Sequence, residues 1–273
     1  MDDAAETALP TARPLALITG ASAGMGAVFA ERLAARGHDV ALVARRADRL
    51  QALATELRAR HGVEVLVIPA DLSVVDAHLS IMDALDGRAV DMLVNNAGYS
   101  LAPRYAETPW ATQRDFVMTL VMSVCGLTHA VLPGMLAKRR GRIITVSSLL
   151  ALSQGGPGHT LYPAAKSFVL KFMLSLDAEV RGRGVTVTCV LPGSTSSEFQ
   201  VANGTADAMR GMPSAFIATP LQVVEAALAA SDRGKLLVIP GWYNRLAAIL
   251  FRLAPDALLR WASARAARQF ANH

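Results

Sequence analysis

Cysteine is nearly absent from this chain: two in 273 residues, Cys125 and Cys189, far apart and each inside an apolar stretch. That excludes a disulfide scaffold, fits a reducing compartment, and makes both thiols read as small buried hydrophobes. Charge is also scarce, at 18% of residues against about 25% in ordinary globular proteins. With 52% hydrophobic residues and a mean hydropathy of +0.33, disordered and fibrous classes are excluded. No Lys/Arg run of the kind that tracks a phosphate backbone occurs outside Lys138-Arg139-Arg140 and the C-terminal arginines, so nucleic acid is not an expected partner. The first residues, Met1-Asp2-Asp3-Ala4-Ala5-Glu6, are acidic where a secretory signal begins basic and turns apolar, and a cytoplasmic location is expected. No repeat, low-complexity run or Pro/Ser-rich linker divides the chain, and no metal centre is expected.

What is present is a regular alternation. Strand-like apolar runs recur at Pro14–Thr19, His38–Ala44, Val63–Pro69, Asp91–Asn95, Arg142–Ser147, Val185–Leu191 and Lys235–Pro240. Helix-length stretches such as Gly26–Arg36 and Ala47–Arg60 separate them. Strands that are β-branched on both faces and alternate with helices indicate a parallel sheet covered on both sides. The expectation is one doubly wound α/β domain with a seven-stranded sheet over 14–240, a mobile tail over 1–13 and an amphipathic helical appendage over 241–273. The span Phe116–Ala137 carries no charge and has roughly the twenty residues a transmembrane helix needs. Because it lies between strand signals, it reads as a buried or interface helix. The net charge of +5 suits an anionic ligand or surface.

The first run ends in Thr19-Gly20-Ala21-Ser22-Ala23-Gly24-Met25-Gly26 and passes directly into a helical stretch. Glycines let the backbone turn sharply and approach a pyrophosphate, whose charge meets free N–H groups at the helix start. Gly20, Ser22, Gly24, Met25 and Gly26 are therefore candidate phosphate-binding residues, although the spacing is not that of the common G-x-G-x-x-G fingerprint. At the end of the second run a carboxylate would take the ribose 2′-hydroxyl of NAD, but the chain reads Val43-Ala44-Arg45-Arg46. A guanidinium there suits a 2′-phosphate, so NADP(H) is the expected cofactor, with Arg45 a stronger candidate than Arg46. Asp71-Leu72 ends the third run, and Asp71 either meets an adenine amino group or caps the next helix. Asn95-Asn96-Ala97-Gly98 ends the fourth, where paired amides can fix loop geometry beside a cofactor cleft.

Tyr162-Pro163-Ala164-Ala165-Lys166 opens a helical stretch, and at i and i+4 both side chains lie on one face. An ammonium near a phenol lowers its pKa from about 10 and makes Tyr162 a proton donor or acceptor for a carbonyl/alcohol pair. Lys166 can also hold a nicotinamide ribose. Upstream, Val146-Ser147-Ser148 brings hydroxyls to the same sheet edge, where one can donate to a developing oxyanion.

Thr19–Gly26, Asn95–Gly98, Ser148, Tyr162 with Lys166, and Pro192-Gly193 occur in this order, and over Leu15 to Pro240 the chain resembles the short-chain dehydrogenases/reductases. The resemblance implies a Rossmann-type sheet of order 3-2-1-4-5-6-7, Ser148 polarising a substrate carbonyl, Tyr162 passing the proton, and Lys166 tuning the tyrosine while binding ribose. It also implies that Pro192, Gly193, Thr195 and Ser197 flank the nicotinamide and diphosphate, and that the protein is a homodimer or homotetramer. Three departures stand out. Leu120 occupies the place of a catalytic asparagine, the Ser148–Tyr162 segment is one residue longer and glycine-rich at Gly155, Gly156 and Gly158, and Ser197 replaces a threonine. In the family, the backbone carbonyl at the asparagine position holds a relay water where the helix kinks. The expectation is thus a carbonyl reductase with a weakened relay; the alternative is a dinucleotide-binding sensor or scaffold with impaired catalysis.

Substrate contacts are expected from Tyr99–Arg104, Leu149–Thr160 and Glu198–Ile217, where Leu149, Leu150, Leu152, Leu161, Phe199, Met209, Met212 and Phe216 dominate. Such a wall suits a hydrophobic ketone or alcohol. The appendage interleaves Trp242, Leu246, Ile249, Leu250 and Leu253 with arginines; it either packs on the domain or a partner subunit or makes a peripheral membrane contact.

Overall fold

The computed structural model describes residues 13–101, 104–155, 160–196 and 216–255. Strands β1 (Leu15–Thr19), β2 (Asp39–Ala44), β3 (Val65–Pro69), β4 (Val90–Asn95), β5 (Gly141–Val146), β6 (Val185–Val190) and β7 (Leu237–Val238) form one sheet of order β3-β2-β1-β4-β5-β6-β7. Every pairing is parallel. Every residue of β1 and β2 is buried, which is why these runs read as continuous rather than alternating hydrophobicity. The expected order and strand count are both present.

One face is covered by α1 (Gly24–Ala35), α2 (Ala47–His61) and α7 (Pro220–Asp232), through Phe29, Leu33, Leu50, Leu57, Val223 and Ala227. The other face is covered by α3 (Ala77–Ala84), α5 (Ser123–Ala137) and α6 (Leu161–Val180), through Ile81, Leu127, Val131, Val169, Met173 and Leu176. The long uncharged span belongs to this second layer: α4 (Trp110–Val117) runs through a π-helical turn at Met118–Met122 into α5, and Val124, Leu127, Val131 and Met135 enter the core. Its apolarity comes from packing on a sheet, although by length and composition alone it matches a membrane span.

Boundaries shift by a residue or two except at the last strand, expected over Lys235–Pro240 and observed over two residues. The N–H groups of Gly234 and Lys235 turn back to Ser231 and Ala230 at the end of α7, and Pro240 has no N–H to donate. Thr219 and Gln222 form a reciprocal capping box at the start of α7, with Pro220 in its first turn, as Thr219-Pro220 suggests. The appendage begins as α8 (Trp242–Leu253) directly after β7; residues 1–12 and 256–273 lie outside the described residues.

Phe29 is fully buried among Ala16, Ile18, Val40 and Leu42 under α1. Phe29→Ala should cost about 3–5 kcal/mol in denaturant unfolding; a loss below about 1 kcal/mol would contradict this placement of α1.

Candidate active site

The sheet order reverses between β1 and β4, and in such sheets ligands bind in the crevice beyond the carboxyl ends of these strands. A side-chain knot closes the seam there. Thr19 Oγ1 donates to the Val94 carbonyl (3.3 Å) and accepts from the N–H groups of Asn96 (3.0 Å) and Ala97 (3.1 Å). Asn96 Nδ2 in turn donates to the Thr19 carbonyl at 2.9 Å. Gly20 and Gly24 have φ of +68° and +56°, the left-handed region that glycine occupies freely. A Cβ at Gly26 would lie 2.1 Å from the Gly20 carbonyl oxygen, and one at Gly20 would lie 2.9 Å from Ala97 Cα. Only glycine lets the loop fold this tightly onto β4. α1 then starts without a side-chain cap at Ala23, so its first N–H groups are available to an anion. Met25 packs part-buried against the core beneath the loop.

Arg46, rather than the favoured Arg45, reaches the loop: its Nη2 and Nε donate to Ser22 Oγ at 3.0 and 3.3 Å. Arg45 is exposed, and its charge acts on Asp71 and Tyr99 across the crevice. Asp71 does not cap a helix, since the residue before α3 is Asp76. Its Oδ1 accepts from the N–H and the hydroxyl of Ser73 at 2.9 and 2.8 Å. Burial opposes ionisation of Asp71, but these bonds and the Arg45 charge hold its pKa below the usual carboxylate value. Leu72 is buried beside it. Gly98 lies against the catalytic side, where a Cβ would sit 3.7 Å from both Leu120 Cγ and Lys166 Nζ. Asn95 Nδ2 donates to Thr128 and Thr145 at 3.3 and 3.4 Å and braces the loop from below.

Ser148, Tyr162 and Lys166 come together at the end of β5 and the start of α6. Ser148 Oγ accepts from the Leu150 N–H at 3.2 Å, and Ser148 shares a side-chain hydrogen bond with Tyr162. Lys166 is buried and its Nζ donates to the Val146 carbonyl at 2.8 Å, 5.8 Å from the centre of the Tyr162 ring. Burial lowers the Lys166 pKa from 10.5 to about 8, with Cys189 opposing. Burial also raises the Cys189 thiol to about 12. The expected lowering of the tyrosine is not produced by the chain's own groups: burial pushes the Tyr162 phenol above its usual value, and the Ser148 hydrogen bond draws it back only in part.

Leu149 N–H donates to the Pro192 carbonyl at 2.8 Å, and Thr195 Oγ1 donates to the Gly193 carbonyl at 3.2 Å, so this loop is tied to the turn after Ser148. Ser197, Phe199, Met209, Met212, Gly156 and Gly158 lie outside the described residues. Leu120 lies in the π-turn and is buried with Phe116, Val121 and, from α6, Ala165, so the π-turn forms without the amide. A small cleft beside Tyr162 is lined by Leu101, Tyr105, Gln113, Phe116, Thr160 and Leu161. Of the expected wall, Leu161 lines it, Leu150 and Phe216 are exposed, and Leu149 and Leu152 belong to the core. Sequence reasoning missed Tyr105, Gln113 and Phe116; the apolar period entering α4 was the available signal for Phe116.

Because the folded pKa of Lys166 lies below its unfolded value, the unfolded chain binds more protons between about pH 8 and 10.5, and stability from this group rises with pH there. Denaturant unfolding should show the parent gaining on Lys166→Met as pH goes from about 8 to about 10; a constant or reversed difference would refute the buried-amine assignment.

The short chain dehydrogenase family model matches residues 14–208. An uncharacterized oxidoreductase of Myxococcus xanthus is 35% identical over 92% of this chain and 96% of its own length. A short-chain dehydrogenase from Sphingobium yanoikuyae, solved in complex with NADPH, superposes with a TM-score of 0.77 at 32% identity over 94% of each chain. The bulky-bulky ketone specific alcohol dehydrogenase from Comamonas testosteroni gives 0.74 at 30% identity, covering 89% of this chain and 96% of that one. Motif order, sheet order and these relatives converge on one assignment: the chain belongs to the short-chain dehydrogenase/reductase family of oxidoreductases.

Proposed function

We propose that this protein is an NADP(H)-dependent carbonyl reductase or alcohol dehydrogenase acting on a hydrophobic small molecule, with Tyr162 as general acid and base. The observation that carries the reading is the convergence of Ser148, Tyr162 and Lys166 on the sheet edge beside the Gly20–Gly26 loop, which is drawn so closely onto its own backbone and Asn96 that no Cβ fits at Gly20 or Gly26. This loop fits a dinucleotide: the uncapped start of α1 would take the diphosphate, and Arg46 with Ser22, together with Arg45, would supply donors for a 2′-phosphate. The related Sphingobium enzyme binds NADPH.

When bound, NADPH supplies the hydride that reduces the carbonyl carbon. Ser148 orients the carbonyl oxygen, and the Tyr162 hydroxyl gives the proton that makes it an alcohol; in the reverse direction Tyr162 takes that proton. Lys166, held by the Val146 carbonyl, would bind the ribose of the nicotinamide and set its positive charge near the phenol, against the burial that raises the phenol's pKa. Leu101, Phe116 and Leu161 favour an apolar substituent on the substrate, as does the bulky-ketone specificity of the Comamonas relative. Leu120 keeps the π-turn but offers no amide, so the proton supply behind Lys166 is slower than with asparagine. The subunit is further proposed to form a homodimer or homotetramer through the outer sides of its long helices, where Met122 and Phe168 stand about half exposed.

In assays of NADPH oxidation with a panel of apolar ketones, Tyr162→Phe should lower kcat by about 10²–10⁴-fold. A parent rate retained in that variant would refute the mechanism, and dinucleotide binding without turnover in the parent would favour the sensor reading. Arg46→Gln with Arg45→Gln should raise the NADPH KM roughly tenfold or more with little effect on NADH; an unchanged cofactor preference would refute the 2′-phosphate assignment.

A further inference from the structure

Helix α8 presents two unlike faces. Asn244 and Ala248 are buried; Asn244 Nδ2 donates to the Pro240 carbonyl at 2.7 Å, and its side chain lies so close to Gly193 that a Cβ there would be 2.2 Å from Asn244 Oδ1. One face is thus anchored to the loop that follows β6. The opposite stripe, Trp242, Leu246, Ile249, Leu250 and Leu253, is between 51% and 79% exposed. Their helical spacing puts all five on one line, and Arg245 and Arg252, seven residues apart, share one flank of it. The face continues toward the substrate side: Phe216 lies 6.5 Å from the Trp242 ring and 5.3 Å from that of Tyr243, and α8 packs on the turn Leu149–Leu152 that follows Ser148.

We propose that this face docks on an anionic phospholipid surface, with α8 lying in the headgroup plane beside the mouth of the substrate cleft. Charge decides between the possible occupants. Residues 241–273 contain five arginines and one aspartate, so they carry four of the chain's five net positive charges. An antiparallel twofold pairing of α8 with its own copy would bring Arg245 and Arg252 against the same arginines, a parallel one would leave them on opposite edges, and in neither case does 241–255 hold an acidic side chain to pair with them. An anionic headgroup layer meets those arginines with opposite charge, and the acyl boundary takes the apolar stripe, with Trp242 suited to the level between them. The lipid contact stands independently of the oxidoreductase reading. Its consequence, that an apolar ketone enters the cleft from the bilayer side, rests on that reading.

The test is flotation of the full chain with vesicles of phosphatidylglycerol and phosphatidylcholine in equal parts, and with phosphatidylcholine alone. The parent should float with the anionic vesicles, and raised salt should weaken the binding. Leu246→Ser with Leu250→Ser, which leaves the charge unchanged and touches exposed positions only, should reduce binding roughly tenfold or more, while Arg252→Gln should reduce it on anionic vesicles alone. Circular dichroism and turnover of a water-soluble ketone report whether the variants fold. Parent and serine variant floating equally, or a parent that stays in the unbound fraction, would overturn the proposal. Loss of a larger oligomer in the serine variant, without vesicle binding by the parent, would give the face to a second copy. Because flotation reads no catalysis, an inactive parent that still floats refutes the enzymatic reading and leaves the lipid contact intact.

Discussion

The Thr19 hydroxyl is the contact on which the rest of the site depends. A hydroxyl can donate one hydrogen bond and accept two, and all three are used, to the Val94 carbonyl and from the N–H groups of Asn96 and Ala97. At the point where β1 and β4 send their chains to opposite faces of the sheet, the ladder can no longer satisfy these backbone groups. Left unpaired in a buried seam, each would cost about 1–3 kcal/mol. With the seam closed by a side chain, the Gly20–Gly26 loop and the Asn96–Gly98 loop diverge at a fixed angle and leave a crevice between them.

The far side of the same crevice is lined by buried side chains, Leu120 and Lys166 among them. Lys166 is held by a carbonyl and flanked by Gly98, with Leu120 touching the same point from the helix above. Cys189 steadies the ammonium only in part, because its own thiol is pushed up to about 12 by burial. Two buried groups that each disfavour their charged form leave the amine at about 8, close to working pH.

Most of the architecture was legible because it rests on local patterns that tertiary contacts reinforce. Continuous runs such as Leu15–Thr19 are buried on both faces, glycines 20 and 26 stand where no Cβ fits, and Gly24 takes a left-handed φ of +56°. The pieces that were not legible depend on distances between segments remote in sequence. Whether Arg45 or Arg46 turns toward Ser22 is decided by the path of the chain as it leaves β2, which adjacent identical residue types cannot reveal. Asp71 finds its partner two residues ahead in Ser73 rather than in a helix start, because α3 begins later than the pattern suggests. The pKa of Tyr162 depends on burial by α6 and its neighbours, and i to i+4 spacing carries information about proximity but none about desolvation. Asn244 packing on Gly193 joins the appendage to the cofactor side of the domain, a contact with no signature in either segment alone.

The scarcity of charge then divides into two physical causes. In the sheet and the helix from Trp110 to Ala137 it follows from covering both faces of β1, β2, β4 and β5, where a charge would need a buried partner. In α8 no such requirement operates, because the apolar stripe faces outward. Solvent alone gives no reason for five large apolar side chains to fall on one line with arginines on its flank. Scattered exposure of that kind is ordinary, but contiguous exposure on an anchored helix implies a second phase or a second surface. Asn244 holds the inner face of α8 to the Gly193 loop, so whatever the outer face meets is mechanically joined to the loop beside the cofactor cradle.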